Sequence, residues 1–400
     1  MATLGNLCVD VFVDVERQPP RDLDTQRALL ASLLASPPGP EAWEVGGSTN
    51  VAIAASRLGL RVAATGPLGH DPFGDFLAGI LEEEGVVLQR TAAPPTLLCH
   101  VLVDGRGEHS FCSAYDSGPW PMLGAAGAEF DVRALRHSRV VLFSGVLFDE
   151  APERGVLEAV RFARAAGAAV FFDPGPRAWT FQTPERAALL QETLRLCHVV
   201  LMTELEALAV VHGNEFAASH AVTDCPRAAL DAAHAILLPQ ARAEGGAGSG
   251  PEQSDAQWLT QTAPSPPRPT PPPRAPEWCV IKRGERGALL ARRDQARPGQ
   301  LSVLEAPAPS VRVADTVGCG DAFAAAIARG FLDAAEDPAA VLALANAVGA
   351  ATAGRRGAGR NVARVADVEA LLARQACAEG VDEDERAAAR RAAALLPGKK

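Results

Sequence analysis

Asp315-Thr-Val-Gly-Cys-Gly-Asp-Ala-Phe-Ala-Ala-Ala-Ile-Ala-Arg-Gly330 decides how the rest of this 400-residue chain is read. Two glycines and a small residue stand directly before an acid, and an alanine-rich helical run follows. Gly318 and Gly320 can take positive φ at no steric cost, so the turn can aim successive backbone N–H groups at one point. That point lies at the N-terminus of a helix expected over residues 321–332, where the dipole also favours an anion. Asp321 sets a carboxylate in the same place. A plain phosphate cradle would exclude it, but a phosphoryl-transfer site needs it, because a base must take the proton of the attacking hydroxyl while the N–H groups hold the transferred charge. The same residues also suit a simple helix cap, with the glycines for the turn and Asp321 as first-turn acid. No Lys-Ser/Thr pair follows the second glycine, so the segment is not a P-loop, and it is not the dinucleotide GxGxxG.

Working outward, short apolar runs alternate with helical stretches. Strands are expected at 2–13, 62–65, 139–144, 168–172, 199–202, 278–282 and 287–291. Helices are expected at 48–58, 72–84, 153–166, 184–196, 321–332 and 338–353. Mostly apolar strands between helices argue for an α/β fold whose parallel sheet is covered on both faces. Residues 97–103 and 108–114 flank Asp-Gly-Arg-Gly and read as a hairpin. Two regions break the rhythm. Residues 16–44 form a long, partly helical segment before Gly46. Residues 213–276 hold a Gly/Ser tract at 245–250 and a Pro tract at 262–276, composition that buries little apolar surface and reads as a surface insertion. Residues 377–400 read as a charged, alanine-rich tail or frayed helix.

Composition restricts the function classes. A net charge of −10 leaves no basic field for nucleic acid or anionic lipid. The eight cysteines show no C-x-x-C pair, several sit in apolar runs, and a reducing, cytoplasmic compartment is expected. No run of 18 apolar residues suggests a membrane span.

Asp315-Thr-Val-Gly-Cys-Gly-Asp321 resembles the DTxGAGD signature of the ribokinase-like (PfkB-type) carbohydrate kinases, with Cys319 in place of alanine. Gly46-Gly-Ser-Thr-Asn-Val-Ala-Ile-Ala-Ala-Ser-Arg-Leu-Gly59 is similar to the family's other signature, and Gly66-Pro-Leu-Gly-His-Asp-Pro-Phe-Gly74 to its GxDxxG run. The likeness runs from Leu4 to about Ala376. It implies a ribokinase-like fold with a small β lid: one kinase domain over 1–376, lid elements near 12–45 and 97–117, the insertion near 213–276, then the tail. The implied activity is ATP-dependent phosphorylation of a small sugar or cyclitol, with Mg2+ and with K+ as the candidate monovalent ion. A monomer or homodimer is expected. A nucleoside kinase, or a silent binding module on the same fold, is the competing reading.

Carried over residue by residue, the resemblance makes Asp321 the general base and the backbone of Gly318, Cys319 and Gly320 the anion hole. Asp10, Gly46, Gly47 and Asn50 would bind the acceptor. Asp173-Pro-Gly-Pro-Arg177 is similar to the family's DPN-x-R stretch, and Arg177 would contact phosphate, since a guanidinium donates two parallel bonds to phosphate oxygens. Thr203 and Glu206 look like the N-x-x-E element, so Glu206 would order Mg2+ through water. Lys282, Gly284 and Gly287 resemble the nucleotide-side turn. Thr316 and Asn346 would join the nucleotide site, with Gly357 in the segment 354–359 closing over the base. Asp315 would help hold the monovalent cation. Ordinary alternatives stand beside several of these: a strand-end acid for Asp10, a cap for Asn50, a solvated turn residue for Arg177, an exposed helix acid for Glu206.

Overall fold

The structure is a computed structural model that describes all residues except 21, 93, 94, 106–108, 117, 119, 124–129, 214–225, 239–275, 295, 298, 399 and 400. Thirteen strands follow in chain order: β1 (Ala2–Leu4), β2 (Leu7–Val15), β3 (Trp43–Gly47), β4 (Ala63–Leu68), β5 (Val87–Ala92), β6 (Leu97–Asp104), β7 (His109–Ser113), β8 (Val140–Ser144), β9 (Ala169–Asp173), β10 (Val199–Thr203), β11 (Trp278–Lys282), β12 (Ala288–Arg293) and β13 (Leu301–Ala306).

Nine strands form the main sheet in the order β13-β12-β11-β10-β9-β8-β1-β4-β5. From β5 to β11 all neighbours are parallel; β12 and β13 add an antiparallel edge. The apolar runs are explained by the pleat. Val199 and Leu201 enter one core while Val200 and Met202 enter the other, and Val140 and Leu142 divide from Val141 and Phe143 in the same way. A strand buried on both faces has no polar alternation to show.

One core lies under the helices Ser48–Arg57, Cys319–Ala334 and Pro338–Ala353. Small residues set their spacing: Ala322, Ala324, Ala325, Ala326 and Ala328 are all buried. A side chain at Gly330 would strike Val341 on the next helix. The other core lies under Glu153–Ala165, Pro184–Leu196 and Pro226–Leu237.

The expected strand over 2–13 is two strands in different sheets. Gly5 (φ 67°) and Asn6 (φ 53°) both adopt left-handed backbone, and the chain turns out of the main sheet there. The turn is fixed from three sides. Gly5 N–H donates to Thr65 at 2.8 Å, Asn6 N–H to the buried Glu150 carboxylate at 2.5 Å, and Ser48 N–H to the Asn6 carbonyl at 2.9 Å. β2 then enters a four-stranded sheet, β3-β2-β6-β7, which carries Asp10. The expected hairpin is its β6–β7 pair. The helical segment before Gly46 is Leu23–Ala35, capped by Asp22.

Two boundaries need correction. Helix Pro226–Leu237 lies inside the stretch read as insertion, yet buries Ala229, Ala232, Ala233, Ile236 and Leu237 in the core. The Gly/Ser tract and the Pro tract up to 275 lie outside the described residues. The stretch read as a tail contains helix Glu383–Ala393, which buries Ala388, Ala389 and Ala392, and Leu396 follows it into the core. By area, that burial contributes on the order of 3–5 kcal/mol. The half-exposed Arg391–Asp337 ion pair at 2.6 Å adds at most about 1 kcal/mol. Truncation after residue 381 is therefore expected to lower Tm by at least about 4 °C in a calorimetric scan. An unchanged Tm would restore the reading of a tail.

Candidate active site

The parallel strands end along one edge, and the candidate residues gather beyond it, where open α/β sheets bind ligands. The helix Cys319–Ala334 starts two residues earlier than expected. Gly318 is its cap, in left-handed backbone at φ 77° and ψ −5°. A Cβ there would stand 2.8 Å from the Ala358 methyl, so this glycine answers both to φ and to close approach. Gly320 does not share the first property. It is an ordinary helical residue, absent from the positive-φ positions, and the expectation that both glycines turn left-handed is corrected. A Cβ on Gly320 would lie 3.6 Å from Lys282 Nζ, in ordinary contact. Of the first-turn N–H groups, that of Cys319 donates to the Thr316 carbonyl, while those of Gly320 and Asp321 have no partner within the helix. Cys319 is tolerated as the first helical residue, its burial and two nearby carboxylates holding the thiol protonated with a pKa near 12.

Asp321 sits in that first turn. Its Oδ2 accepts from Asn50 Nδ2 at 2.9 Å, while Asn50 Oδ1 accepts from Gly359 N–H at 2.9 Å. The amide is thus not a free cap. It joins the helix Ser48–Arg57, Asp321 and the loop after residue 353. Burial raises the Asp321 pKa to about 6; Asn50 works against that, Asp173 adds to it and Lys282 opposes it. Asp10 approaches from β2. Burial, then Asp321 and Glu44, raise it to about 7. A side chain at Gly46 would occupy the Asp10 carboxyl, and one at Gly47 (φ 59°) would strike Asn6. Asp10, Gly46, Gly47, Asn50 and Asp321 therefore form one cluster.

A second group lines the edge from β9 to β11. Lys282 Nζ stands 2.6 Å from Asp173 Oδ2. Burial works to depress the ammonium, but Asp173 and Glu206 outweigh it and keep it charged. Thr203 and Glu206 form a reciprocal cap on helix Glu204–His212, with Glu206 Oε2 accepting from Thr203 N–H at 2.6 Å. Thr203 thus has a local job in place of the family's asparagine. Burial raises the Glu206 pKa, and Lys282 pulls it back.

Other candidates are spent on structure. Asp315 accepts from Val317 N–H at 3.0 Å and Gly357 N–H at 2.9 Å, clasping two loops together. The Thr316 carbonyl accepts from Cys319 N–H at 3.3 Å. Asn346, expected at the adenine end, gives its Nδ2 to the carbonyls of Ala306 (2.9 Å) and Pro307 (3.2 Å). Gly287 is required because a side chain would strike Ala306, whereas Gly284 (φ 60°) faces open space. Arg177 does not offer a free guanidinium. It pairs with Asp149 at 2.8 Å and Asp116 at 3.2 Å, and its charge acts on Tyr115 and Cys99. A phosphate reaching Arg177 would compete with these two carboxylates. Two acids were missed. Glu150 is fully buried and raised by burial to about 8, and Asp149 bridges Arg177 and Arg186. Paired acids in the otherwise apolar Leu147-Phe-Asp-Glu150 were the available signal, since buried acids require partners.

The chain is a member of the pfkB family carbohydrate kinases. The family model matches residues 43–237 and 271–364. The chain is similar to fructokinase-2 of Solanum habrochaites, 32% identical over 158 residues that cover 38% of this chain and 48% of that one. It spans 42–48% of the length of the plant fructokinases it matches. The fructokinase of Xylella fastidiosa with bound ATP shares the fold, with TM-score 0.59, 22% identity and coverage of 94% and 98%. So does the adenosine kinase of Sinorhizobium meliloti, with TM-score 0.61, 20% identity and coverage of 89% and 94%. Among the described residues no helix is long and apolar enough to cross a membrane.

The two glycines are expected to separate on substitution. Gly318→Ala forces left-handed backbone on alanine and a clash with Ala358, so it should cost about 1–3 kcal/mol. Gly320→Ala fits the helix and should leave stability equal or slightly higher. Urea unfolding of both variants checks this; equal destabilisation would contradict the helical placement of Gly320.

Proposed function

We propose that this protein transfers the γ-phosphoryl group of ATP to a hydroxyl of a small polyhydroxylated acceptor, a sugar or cyclitol. The observation that carries the reading is Asp321: a buried carboxyl, held by Asn50, at the head of a helix whose cap Gly318 is left-handed. With a pKa of about 6, Asp321 is largely ionised at neutral pH yet still basic enough to accept a proton. Asp10 faces it across the acceptor site and would orient hydroxyls; at about 7 it can either accept or donate. As the acceptor oxygen attacks, its proton passes to Asp321, and the first-turn N–H groups hold the charge on the transferring group.

Oxygen donors suit magnesium, which takes one or two carboxylates and leaves other positions to phosphate and water. Glu206 fits that need, and the ion would draw charge from the phosphate oxygens. Both Asp315 oxygens already accept backbone N–H groups, which leaves backbone carbonyls to supply most ligands for K+. The Thr203 and Cys319 departures do not point to a silent module, since one makes a cap and the other fits the helix start. A stacking wall for a nucleobase also lacks support: Tyr115 is buried with its ring in the fold, and Phe111 is half exposed on β7. Seven free thiols among the described residues suit a reducing, cytoplasmic setting.

Asp321→Asn keeps shape and hydrogen bonding but removes the proton acceptor. It should lower kcat by about 10²–10⁴ with ATP affinity nearly unchanged. In the wild type, kcat/KM should rise with pH through about 6–7 and then level, with apparent values that belong to the Asp10–Asp321 pair. An ATP-consumption panel of pentoses, hexoses, inositols and nucleosides provides the assay. Equal turnover by Asp321→Asn would overturn the base, and turnover confined to nucleosides would overturn the acceptor class.

A further inference from the structure

Lys282 stands where a helix N-terminus and three carboxylates meet. It is the last residue of β11, paired in register with Thr203 on β10, and its side chain is only 14% exposed. Its ammonium lies beside the first turn of the Asp321 helix, 3.6 Å from where a Gly320 methyl would be. That helix end carries about half a positive charge of its own, so a lysine there is repelled by the dipole. Asp173 at 2.6 Å offsets the repulsion, and Asp321 and Glu206 add to the offset. The three carboxylates come from β9, the helix after β10 and the helix after Gly318. An anion between the helix N–H groups and Nζ would satisfy both positive groups at once. Gly320, having no side chain, leaves the space between them open. The other cation expected at phosphate, Arg177, is held by Asp149 and Asp116.

We infer that Lys282 is the side-chain cation that holds the phosphoryl group during transfer, and that Asp173 is the positioning residue that keeps its ammonium at the helix N-terminus. This rests on the phosphotransfer reading above. In the step, the acceptor oxygen forms a bond to the γ-phosphorus as the bond to the β,γ-bridging oxygen breaks. The electron pair of that bond leaves on the nucleoside diphosphate, and the acceptor proton goes to Asp321. Lys282 keeps its three protons and donates to a non-bridging oxygen throughout. In the free protein that donor is occupied by Asp173, so the arriving phosphate competes with a carboxylate already positioned within reach of it.

The test compares wild type, Lys282→Met, Lys282→Arg and the double variant Lys282→Met/Asp173→Asn, by calorimetric titration with ATP and separately with ADP, and by steady-state kinetics. Lys282→Met is expected to weaken ATP at least about tenfold while ADP stays within about threefold, because ADP lacks the γ-phosphate. Its kcat should fall about 10²–10³, the range for losing one transition-state donor, with acceptor KM within twofold. Lys282→Arg should recover part of the loss. The acid limb of kcat/KM should move to higher pH in Lys282→Met, because Asp321 loses a cation that lowers its pKa while Asp173, Asp10 and the Asn50 bond remain. The double variant should return the limb toward its original position without returning kcat. It also removes both halves of the buried pair, so it keeps the test valid if Lys282→Met alone fails to fold. An ATP-to-ADP affinity ratio equal to wild type, or a kcat within threefold, would overturn the inference. A wild type that binds ATP but phosphorylates no acceptor would overturn the phosphotransfer reading, and the affinity ratio would still decide the placement of Lys282 at the γ-phosphate. A wild type that binds no ATP would overturn both.

Discussion

The Asn50 side chain carries the geometry of the whole site. One end donates to Asp321, the other accepts from Gly359, and these partners lie 271 and 309 residues away in sequence. A buried amide satisfied at both ends fixes two elements at once. Here it locks Asp321 to the helix Ser48–Arg57 and holds the loop at Gly359 against both. Asp315 repeats the device, tying Val317 and Gly357 together beside the helix cap. The turn at Gly318 is therefore held by hydrogen bonds from three parts of the chain, and the close approach of Ala358 leaves room there for nothing larger than glycine.

Burial does the rest. It is the largest cause of the raised pKa at both Asp10 and Asp321, and Asp321 adds to the rise at Asp10. The arginine nearest in motif, Arg177, is spent holding Asp149 and Asp116 together. The cation that does reach the base is Lys282, brought by β11. Asp321 therefore lies between Asp10 on one side and the Lys282–Asp173 pair on the other.

Much of this was legible in the sequence. Runs such as Val199–Thr203 are apolar throughout because each face of the sheet meets its own core, so the parallel layer could be read directly. The clusters at Asp10, Gly46 and Asn50 and at Gly318 and Asp321 came from spacing and from family likeness. What escaped was tertiary in origin. Gly5-Asn6 tolerates left-handed backbone, but the contact that holds Asn6 there comes from Glu150, 144 residues away. Helix Pro226–Leu237 was hidden by the Gly- and Pro-rich composition downstream, although its alanines and Ile236 carry an apolar face. Arg177 looked free because Asp149 belongs to another helix. Lys282 looked like an ordinary nucleotide-turn residue because Asp173 is 109 residues before it. Gly320 looked like a second turn glycine because a helix start and a glycine-rich loop share the same letters.

The central claim is that Asp321 is a buried, raised carboxyl poised by Asn50 at a helix N-terminus. A carbon-13 NMR titration of the aspartate side chains, with Asp321 assigned by its absence in Asp321→Asn, measures this directly. A midpoint near 6 for Asp321, rising further in Asn50→Ala as the hydrogen bond that lowers it is lost, is the predicted result. A midpoint at the ordinary aspartate value of 3.8, unmoved by Asn50→Ala, would contradict it.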